Sequence, residues 1–193
     1  MTWLVAGLGN PGERYARTRH NVGAMVADEL ARTAGERFRK VRFLPLELAE
    51  THVGDERVLL ARSHRFMNEA GPSYASLAAK QHVEPGQVIA VHDELDLPAG
   101  ALRVKLGGSS AGHNGLKSLQ QALRTPEFLR VRVGIGRPPG RQDPADFVLE
   151  PFPRRDEAQV GVLVGEAADA VRALIADGLE RTQDRFNRAG PRA

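Results

Sequence analysis

The chain lacks cysteine and is poor in aromatic residues. None of its 193 residues is a cysteine, and aromatic residues make up 5%. The first absence excludes a disulfide framework and thiolate catalysis, and it fits a reducing compartment. Hydrophobic residues still account for 41% of the chain, so we expect a substantial, mostly aliphatic core.

Long apolar runs and lysine are scarce too. No run approaches the roughly 18–20 residues of a membrane span, and the N-terminus lacks a signal-peptide pattern. We therefore expect a cytoplasmic protein without a membrane partner. The 27 basic residues stand against 24 acidic ones and include four lysines. An arginine excess suits phosphate binding, but a GC-rich genome produces the same bias, so both explanations stay open.

Short apolar runs alternate with amphipathic stretches along the chain. The predicted strands are Trp3–Ala6, Val41–Phe43, Leu46–His52, Arg57–Arg62, Val88–His92, Ala101–Leu106 and Leu129–Ile135. The predicted helices are Val22–Thr33, Asn68–Gln81, Leu116–Leu123, Arg155–Asp177 and a shorter one from Leu179 to about Arg188. This alternation predicts an α/β protein. Gly54-Asp55 predicts a hairpin. We expect a single domain, residues 1–188, with a twisted mixed β-sheet flanked by helices on both faces, and a loose tail, 189–193.

Polar loop segments follow several of the apolar runs. They are GNPG (9–12), TRHN (18–21), FMNE (66–69), HDELD (92–96) and GGSSAGHNG (107–115). In an open α/β sheet, ligands bind at the carboxyl ends of the strands, where such loops converge. The segment 136–144, GRPPGRQDP, is too rich in glycine and proline for regular structure.

These loops hold the side chains needed for hydrolysis by activated water. A histidine such as His20 titrates near neutral pH and suits a general base, while Asp93 would orient its imidazole. Asparagine amides can pair with a peptide bond or an oxyanion. The set predicts cleavage of an activated acyl bond. The His and Asp spacings match no zinc signature, so we expect neither a metal nor a cofactor.

Each feature also has a purely structural interpretation. Asn10-Pro11-Gly12 is typical of a turn, a histidine before a helix is commonly a packing residue, and Asn68 could cap its helix. The segment 107–115 fits either a flexible loop or a phosphate cradle at a helix start, although it is not a Walker loop.

Taken together, the motifs resemble the bacterial-type peptidyl-tRNA hydrolase family. GLGNPG, YxxTRHNxG, FMNxxG, HDELDLPxGxLRxKxGG and GHNGLKS occur in this order, and the resemblance runs from Leu4 to the segment around Leu179. It implies an esterase, usually monomeric, that releases peptide from the 3′-terminal ribose of tRNA. The residues that it implies are His20 as base, Asp93 as its support, Asn10, Tyr15, Met67, Asn68, His113 and Asn114 at the substrate, and Lys105 and Arg132 at tRNA phosphate.

The chain departs from the family pattern at two positions near the site. Arg65 precedes Phe66 where the family commonly has threonine, and Ala111 stands where it usually has glycine. A positive φ would resist an alanine. Two other functions stay open on the sequence, namely a non-catalytic RNA-binding protein on the same fold and a peptidase or small-ester hydrolase.

Overall fold

The computed structural model describes residues 1–187. Their strands are β1 (Thr2–Gly7), β2 (Arg39–Lys40), β3 (Leu46–Val53), β4 (Glu56–Ser63), β5 (Val88–Glu94), β6 (Leu102–Leu106) and β7 (Leu129–Gly134). Their helices are α1 (Val22–Thr33), α2 (Gly71–Lys80), α3 (Asn114–Leu123), α4 (Pro144–Val148), α5 (Glu157–Asp177) and α6 (Leu179–Phe186). The predicted tail, 189–193, lies outside the described residues. None of the described helices is both long and apolar enough to cross a membrane.

The strands form one mixed sheet in the order β2-β3-β4-β1-β5-β7-β6. β1 runs parallel to β4 and β5, and β7 runs parallel to β5. β2, β3 and β6 are antiparallel to their neighbours. The two-residue turn Gly54-Asp55 joins β3 to β4, as predicted. The carboxyl ends of the four parallel strands therefore share one edge of the sheet.

Helices cover both faces of the sheet, which confirms the predicted fold class. On β1, Val5 faces a core built with α1 and α5, whereas Leu4 faces a second core built with α2 and α3. Successive side chains of a strand point to opposite faces, so one apolar run supplies both cores. Because both faces of the central strands are buried, neither face can hold a ligand, and the carboxyl edge is left for the site.

Three sequence predictions need correction, and one helix was not predicted. Val41–Phe43 is not a strand, because Phe43 adopts a left-handed φ of 66° and turns the chain back after β2. Residues 67–69 form a separate 3₁₀ turn, so α2 begins at Gly71 and Asn68 does not cap it. α3 begins two residues before the predicted Leu116. The irregular 136–144 segment gives way to a short helix, α4, that the sequence analysis missed.

α1 packs against the sheet at a position where a side chain has no room. A Cβ built on Gly23 would lie 2.0 Å from the Val91 carbonyl oxygen and 2.8 Å from the Leu8 amide nitrogen. Gly23 therefore lets the first turn of α1 rest directly on the carboxyl ends of β1 and β5. His20 and Asn21, which immediately precede α1, are carried to that edge with it.

We expect Gly23→Ala to destabilise the fold by about 3 kcal/mol, because the added methyl group must displace backbone atoms. Gly161→Ala is the matched control: Gly161 lies inside α5, and its Cβ would meet nothing within 4 Å. That control should raise the free energy of unfolding by roughly 0.5–1 kcal/mol, since alanine restricts the unfolded chain. Denaturant titration measures both values, and equal effects of the two substitutions would contradict the close packing of α1.

Candidate active site

A crevice of about 460 Å³ opens at the carboxyl edge of the sheet. It brings together the predicted side chains Asn10, Tyr15, His20, Met67, Asn68, Asp93, His113 and Asn114. Asp93 lies at the end of β5, and the others come from the loops after β1, β4 and β6. The carboxyl ends of β1, β4 and β5 converge here, as expected for such a sheet, and the loop after the antiparallel β6 returns to the same edge. Lys105 and Arg132 do not line the crevice.

The Asp93 carboxylate lies at the centre of the crevice floor. Asp93 is 3% exposed. His20 Nδ1 lies 3.0 Å from both of its oxygens, and His113 Nε2 lies 2.8 Å from Oδ1. The sequence analysis predicted the first pair, but it placed His113 among the substrate residues and did not predict its contact with Asp93. One carboxylate therefore orients two imidazoles, whose ring centroids lie 5.0 Å apart.

The hydrogen bonds define the tautomer of each histidine. His113 Nδ1 accepts from the backbone N–H groups of Gly115 and Leu116, at 3.1 and 3.2 Å, and thereby caps α3. Its proton must then sit on Nε2, which donates to Asp93. His20 donates to Asp93 from Nδ1, so its Nε2 lone pair is free to accept a proton from a molecule in the crevice.

Two opposing effects act on the Asp93 carboxyl. Burial alone would raise its pKa. The neighbouring His113, and then His20, outweigh burial and hold the pKa of Asp93 well below its usual range. Asp93 is therefore an anion that can stabilise a positive charge on His20.

The same three side chains have the spacing of metal ligands. One donor atom from each of His20, Asp93 and His113 lies within 4.8 Å of the other two. In the structure these donors are engaged with one another and with the start of α3, and the hydrogen bonds account for the cluster without an ion. The absence of a metal stays a prediction.

Asn21 holds the loop that presents Asn10. Its side chain accepts from Asn10 N at 2.8 Å and donates to Asn10 O at 2.9 Å. A Cβ on Gly9 would lie 3.0 Å from the Asn21 amide, so glycine there leaves room for this clamp. Asn10 Oδ1 in turn accepts from Met67 N at 2.8 Å. Asn10 thus has its Nδ2 donor left for a ligand.

The remaining side chains of the crevice are two asparagine amides, an aromatic rim and an aliphatic rim. Asn68 and Asn114 are exposed and have no side-chain hydrogen bond within residues 1–187. Phe66 packs edge-on against Tyr15, at 6.2 Å, on one rim. The opposite rim is the apolar surface of Leu95, Val148 and Leu149. The crevice thus offers free amides between an aromatic rim and an aliphatic one.

Lys105 and Arg132 belong to a separate basic cluster on β6 and β7. Lys105 pairs in register with Arg130, two residues from Arg132 on the same face of the sheet. Burial, followed by the charges of Arg132 and Arg130, lowers the pKa of Lys105. Arg132 Nε lies 3.2 Å from a Glu94 oxygen. An anion bound beside this cluster would relieve its repulsion.

Arg130 has a different role from its neighbours. It is fully buried and donates to the carbonyl oxygens of Ser109 and Gly108, both at 2.6 Å. It therefore holds the 107–115 loop that carries His113. Ala111 adopts a φ of 47° in this loop, a left-handed conformation that favours glycine, so the loop turns there despite the alanine.

Sequence reasoning missed Asn21, Arg130 and α4. Asn21 lies inside the TRHN motif, but nothing local separates an asparagine that braces backbone from one that faces a ligand. From the sequence, Arg130 is expected to be a surface cation, and its different role follows only from its burial in β7. α4 is shorter than two turns and carries no amphipathic period.

The side chain of His92 is buried behind the site, and its burial can be tested by the pH dependence of stability. Its Nδ1 donates to Asp93 O at 2.8 Å, and its buried Nε2 has no partner among the described residues. Burial, and next the neighbouring His113, lowers the pKa of His92 to about 3.

Between about pH 6.5 and pH 3, His92 therefore binds a proton in the unfolded chain but not in the folded chain. The contribution of neutral His92 to the free energy of unfolding is complete above pH 6.5 and decreases as the pH is lowered. Because one pKa unit corresponds to about 1.4 kcal/mol, wild type should lose about 2 kcal/mol more unfolding free energy than His92→Asn between pH 7 and pH 5. Asparagine can keep the donor to Asp93 O without titrating. Denaturant titrations at both pH values measure the difference, and parallel curves would contradict a buried neutral His92.

The comparisons with known proteins point to one family. The family model described as peptidyl-tRNA hydrolase matches residues 4–192. A peptidyl-tRNA hydrolase of Nocardia farcinica is 52% identical over 184 residues, covering 95% of each chain. One from Cutibacterium acnes is 50% identical, with 96% of this chain and 98% of the relative covered. The crystal structure of the Acinetobacter baumannii peptidyl-tRNA hydrolase superposes with a TM-score of 0.91 at 29% identity, covering 99% of this chain and 97% of that one. The chain belongs to the peptidyl-tRNA hydrolase family.

Proposed function

We propose that this protein hydrolyses the ester between the peptide and the 3′-terminal ribose in peptidyl-tRNA, using water activated by His20. One observation carries the proposal: Asp93 fixes His20 in the tautomer whose Nε2 is free, at the floor of a crevice lined with unpaired amides. The site has neither a cysteine nor a phosphate loop, and an activated ester needs neither.

The reaction begins with a proton transfer to His20 Nε2. Water loses this proton as its oxygen bonds to the ester carbonyl carbon. Asp93 stabilises the imidazolium that forms and keeps its ring in place. The tetrahedral intermediate then breaks its bond to the ribose O3′, and His20 returns the proton to that oxygen. General-base assistance of this kind contributes about 10²- to 10⁴-fold.

Asparagine side chains stabilise the carbonyl and select the substrate. We assign the developing oxyanion to Asn10 Nδ2, the donor that remains free because Asn10 Oδ1 accepts from Met67 N. Asn68 and Asn114 each offer a donor and an acceptor, which match the N–H and C=O of a peptide bond. A free α-ammonium group cannot make the same pairs, which accounts for discrimination in favour of blocked esters.

The basic cluster on β6 and β7 is proposed to bind tRNA phosphate. Lys105 and Arg132 supply the charge, while the buried Arg130 only holds the neighbouring loop. Contacts to phosphate position a nucleic acid without reading its sequence, which suits an enzyme acting on many tRNAs. We further propose that the protein works as a cytoplasmic monomer.

Parallel assays of N-acetyl-aminoacyl-tRNA and free aminoacyl-tRNA test the function. We expect rapid cleavage of the blocked ester and little cleavage of the free one. His20→Asn should lower kcat by roughly 10²- to 10⁴-fold, because asparagine can still donate to Asp93 but cannot accept the proton from water. Unfolding curves of this variant should match those of wild type.

Other outcomes would reject the proposal. Equal cleavage of both esters would remove the proposed role of the amides, and binding of tRNA without cleavage would indicate an RNA-binding protein. Turnover of simple esters at a similar rate, independent of tRNA, would indicate a general esterase.

His113 competes with His20 for the same carboxylate. Each hydrogen bond that Asp93 accepts weakens the electrostatic stabilisation that its carboxylate gives to the other imidazole. His113 thus tempers the support that Asp93 gives to His20 while it anchors α3. We assign it the role of a positioning residue.

His113→Asn separates the two roles, because Asn Oδ1 can still cap α3 while no Nε2–H reaches Asp93. With one donor removed, Asp93 should hold the protonated His20 more firmly, and the acidic limb of the kcat/KM profile should move to higher pH by roughly 0.5–1 unit. His113→Gln, which can restore a donor to Asp93, is the matched control and should move the limb less. An unshifted limb in His113→Asn would leave His113 with a capping role alone.

A further inference from the structure

β6 carries Lys105 at the margin of the sheet. It is the last strand in the sheet order and pairs with β7, so its other side has no neighbouring strand among residues 1–187. The open side of such a strand presents backbone N–H and C=O groups that the sheet itself does not pair. Whatever contacts this side therefore decides how firmly Lys105 is held.

The side chain of Asn187 takes the place of a neighbouring strand at Val104. Val104 N donates to Asn187 Oδ1 at 2.8 Å, and Asn187 Nδ2 donates to Val104 O at 3.0 Å. An amide side chain carries the same donor and acceptor as a peptide group, so this reciprocal pair reproduces one residue pair of a β-ladder. Gln183 Nε2 adds a second donor to Val104 O, at 3.2 Å. Because Asn187 directly follows α6, the end of that helix is fastened to the middle of β6.

The contact with Asn187 completes the attachment of β6. In an antiparallel ladder, successive residues direct their backbone groups to opposite sides of the strand. Val104 directs its groups at Asn187, so its neighbours Arg103 and Lys105 direct theirs at β7, where they pair in register with Arg132 and Arg130. The strand is therefore held from both sides along its central residues.

Like charges oppose the pairing of β6 with β7. Lys105 stands opposite Arg130 and close to Arg132, and after burial the charges of these two arginines contribute most to the lowered pKa of Lys105. Like charges directly opposite each other destabilise an antiparallel pair. An edge strand of five residues that carries such a charge needs a second attachment, and the amide of Asn187 supplies it.

The position of β6 also determines where the Lys105 ammonium group lies. A Cβ built on Gly108 would be 2.8 Å from Lys105 Nζ and 3.5 Å from its Cε. The side chain of Lys105 therefore lies directly over this glycine, at the start of the 107–115 loop. Movement of β6 would carry Lys105 away from the loop and from Arg132.

We propose that Asn187 is a positioning residue for tRNA binding, which holds β6 against the repulsion within the basic cluster so that Lys105 meets a tRNA phosphate at a fixed place. The inference rests on the proposed function, which assigns Lys105 to phosphate. A bound phosphate would itself relieve the repulsion, so the amide matters most before the tRNA arrives. Its effect is on binding and not on ester cleavage at His20.

A role in preventing association with a second copy of the chain is the alternative for this amide. Two β6 strands paired antiparallel about Val104 would set Arg103 of one copy opposite Lys105 of the other. Like charges on an edge strand already discourage such pairing, so the amide is not needed for it. The charge on β6 therefore favours the positioning role.

Binding of deacylated tRNA tests the inference through a double-mutant cycle. Lys105→Ala should reduce the steepness of log Kd against log salt by about one unit. Asn187→Ala should weaken tRNA binding by roughly 2- to 10-fold. Because the amide acts through Lys105, the double variant should bind no more weakly than Lys105→Ala alone. Gln183→Ala is the matched control: it leaves both hydrogen bonds of Asn187 in place and should bind as wild type does.

Turnover and hydrogen exchange distinguish positioning from a general loss of structure. Asn187 does not line the crevice, so Asn187→Ala should raise KM for N-acetyl-aminoacyl-tRNA and leave kcat unchanged. Exchange of the Arg103 and Lys105 amides should be faster in Asn187→Ala than in Gln183→Ala. The difference should shrink at high salt, because salt screens the repulsion between Lys105 and the arginines of β7. Denaturant titration checks that both variants are folded under the assay conditions.

Three results would overturn the inference: a wild-type Kd in Asn187→Ala, additive losses of binding free energy in the double variant, or equal losses in Asn187→Ala and Gln183→Ala. A dimeric Asn187→Ala with an unchanged Kd would give the amide the role of blocking the strand edge. An unchanged Kd and salt slope in Lys105→Ala would refute the phosphate role of the cluster and the inference with it. Failure of the wild-type protein to cleave N-acetyl-aminoacyl-tRNA would refute the proposed function instead, and the binding comparison does not depend on it.

Discussion

The buried carboxylate of Asp93 is the constraint on which the rest of the site depends. An ionised group that is 3% exposed loses most of its hydration, and that cost is offset only if each oxygen finds a donor. Here the donors are the imidazoles of His20 and His113, which come from loops far apart in sequence. The fold must therefore bring two loops to one oxygen pair, and a base oriented for catalysis follows from that requirement.

Several features that look like ordinary packing serve this convergence. Gly23 lets α1 approach β5 closely enough to carry His20 to Asp93. Arg130 holds the carbonyl groups of the 107–115 loop, so that His113 arrives from the other side. Asn21 holds the loop before His20 by a reciprocal pair of hydrogen bonds. The Asp93 oxygens are thus satisfied by protein donors, whereas Asn68 and Asn114, which face the crevice, keep their hydrogen-bonding groups for a ligand.

The sequence predicted the parts of this arrangement that have a local signature. The bounds of α1, the Gly54-Asp55 hairpin and the helices on both faces follow from periodicity and turn chemistry. The convergence of His20, Asp93 and the three ligand-facing asparagines followed from motifs at strand ends. The strand order did not, because it depends on contacts between distant residues. α3 began earlier than predicted because a histidine caps it, and a histidine is an uncommon cap. Phe43 was read as strand because aromatic residues favour strands.

Lys105 and Arg132 show why a motif does not specify where its residues lie. Both were assigned to the same substrate as His20, yet β6 runs antiparallel to β7 and carries Lys105 three register positions away from the level of Asp93. A substrate that reaches both places must be long and polyanionic, whereas a small ester would touch only the crevice. The separation of the basic cluster from the base is therefore itself an argument about substrate size. If the basic cluster binds the same substrate as His20, as proposed, this separation favours a macromolecular ester over a small one.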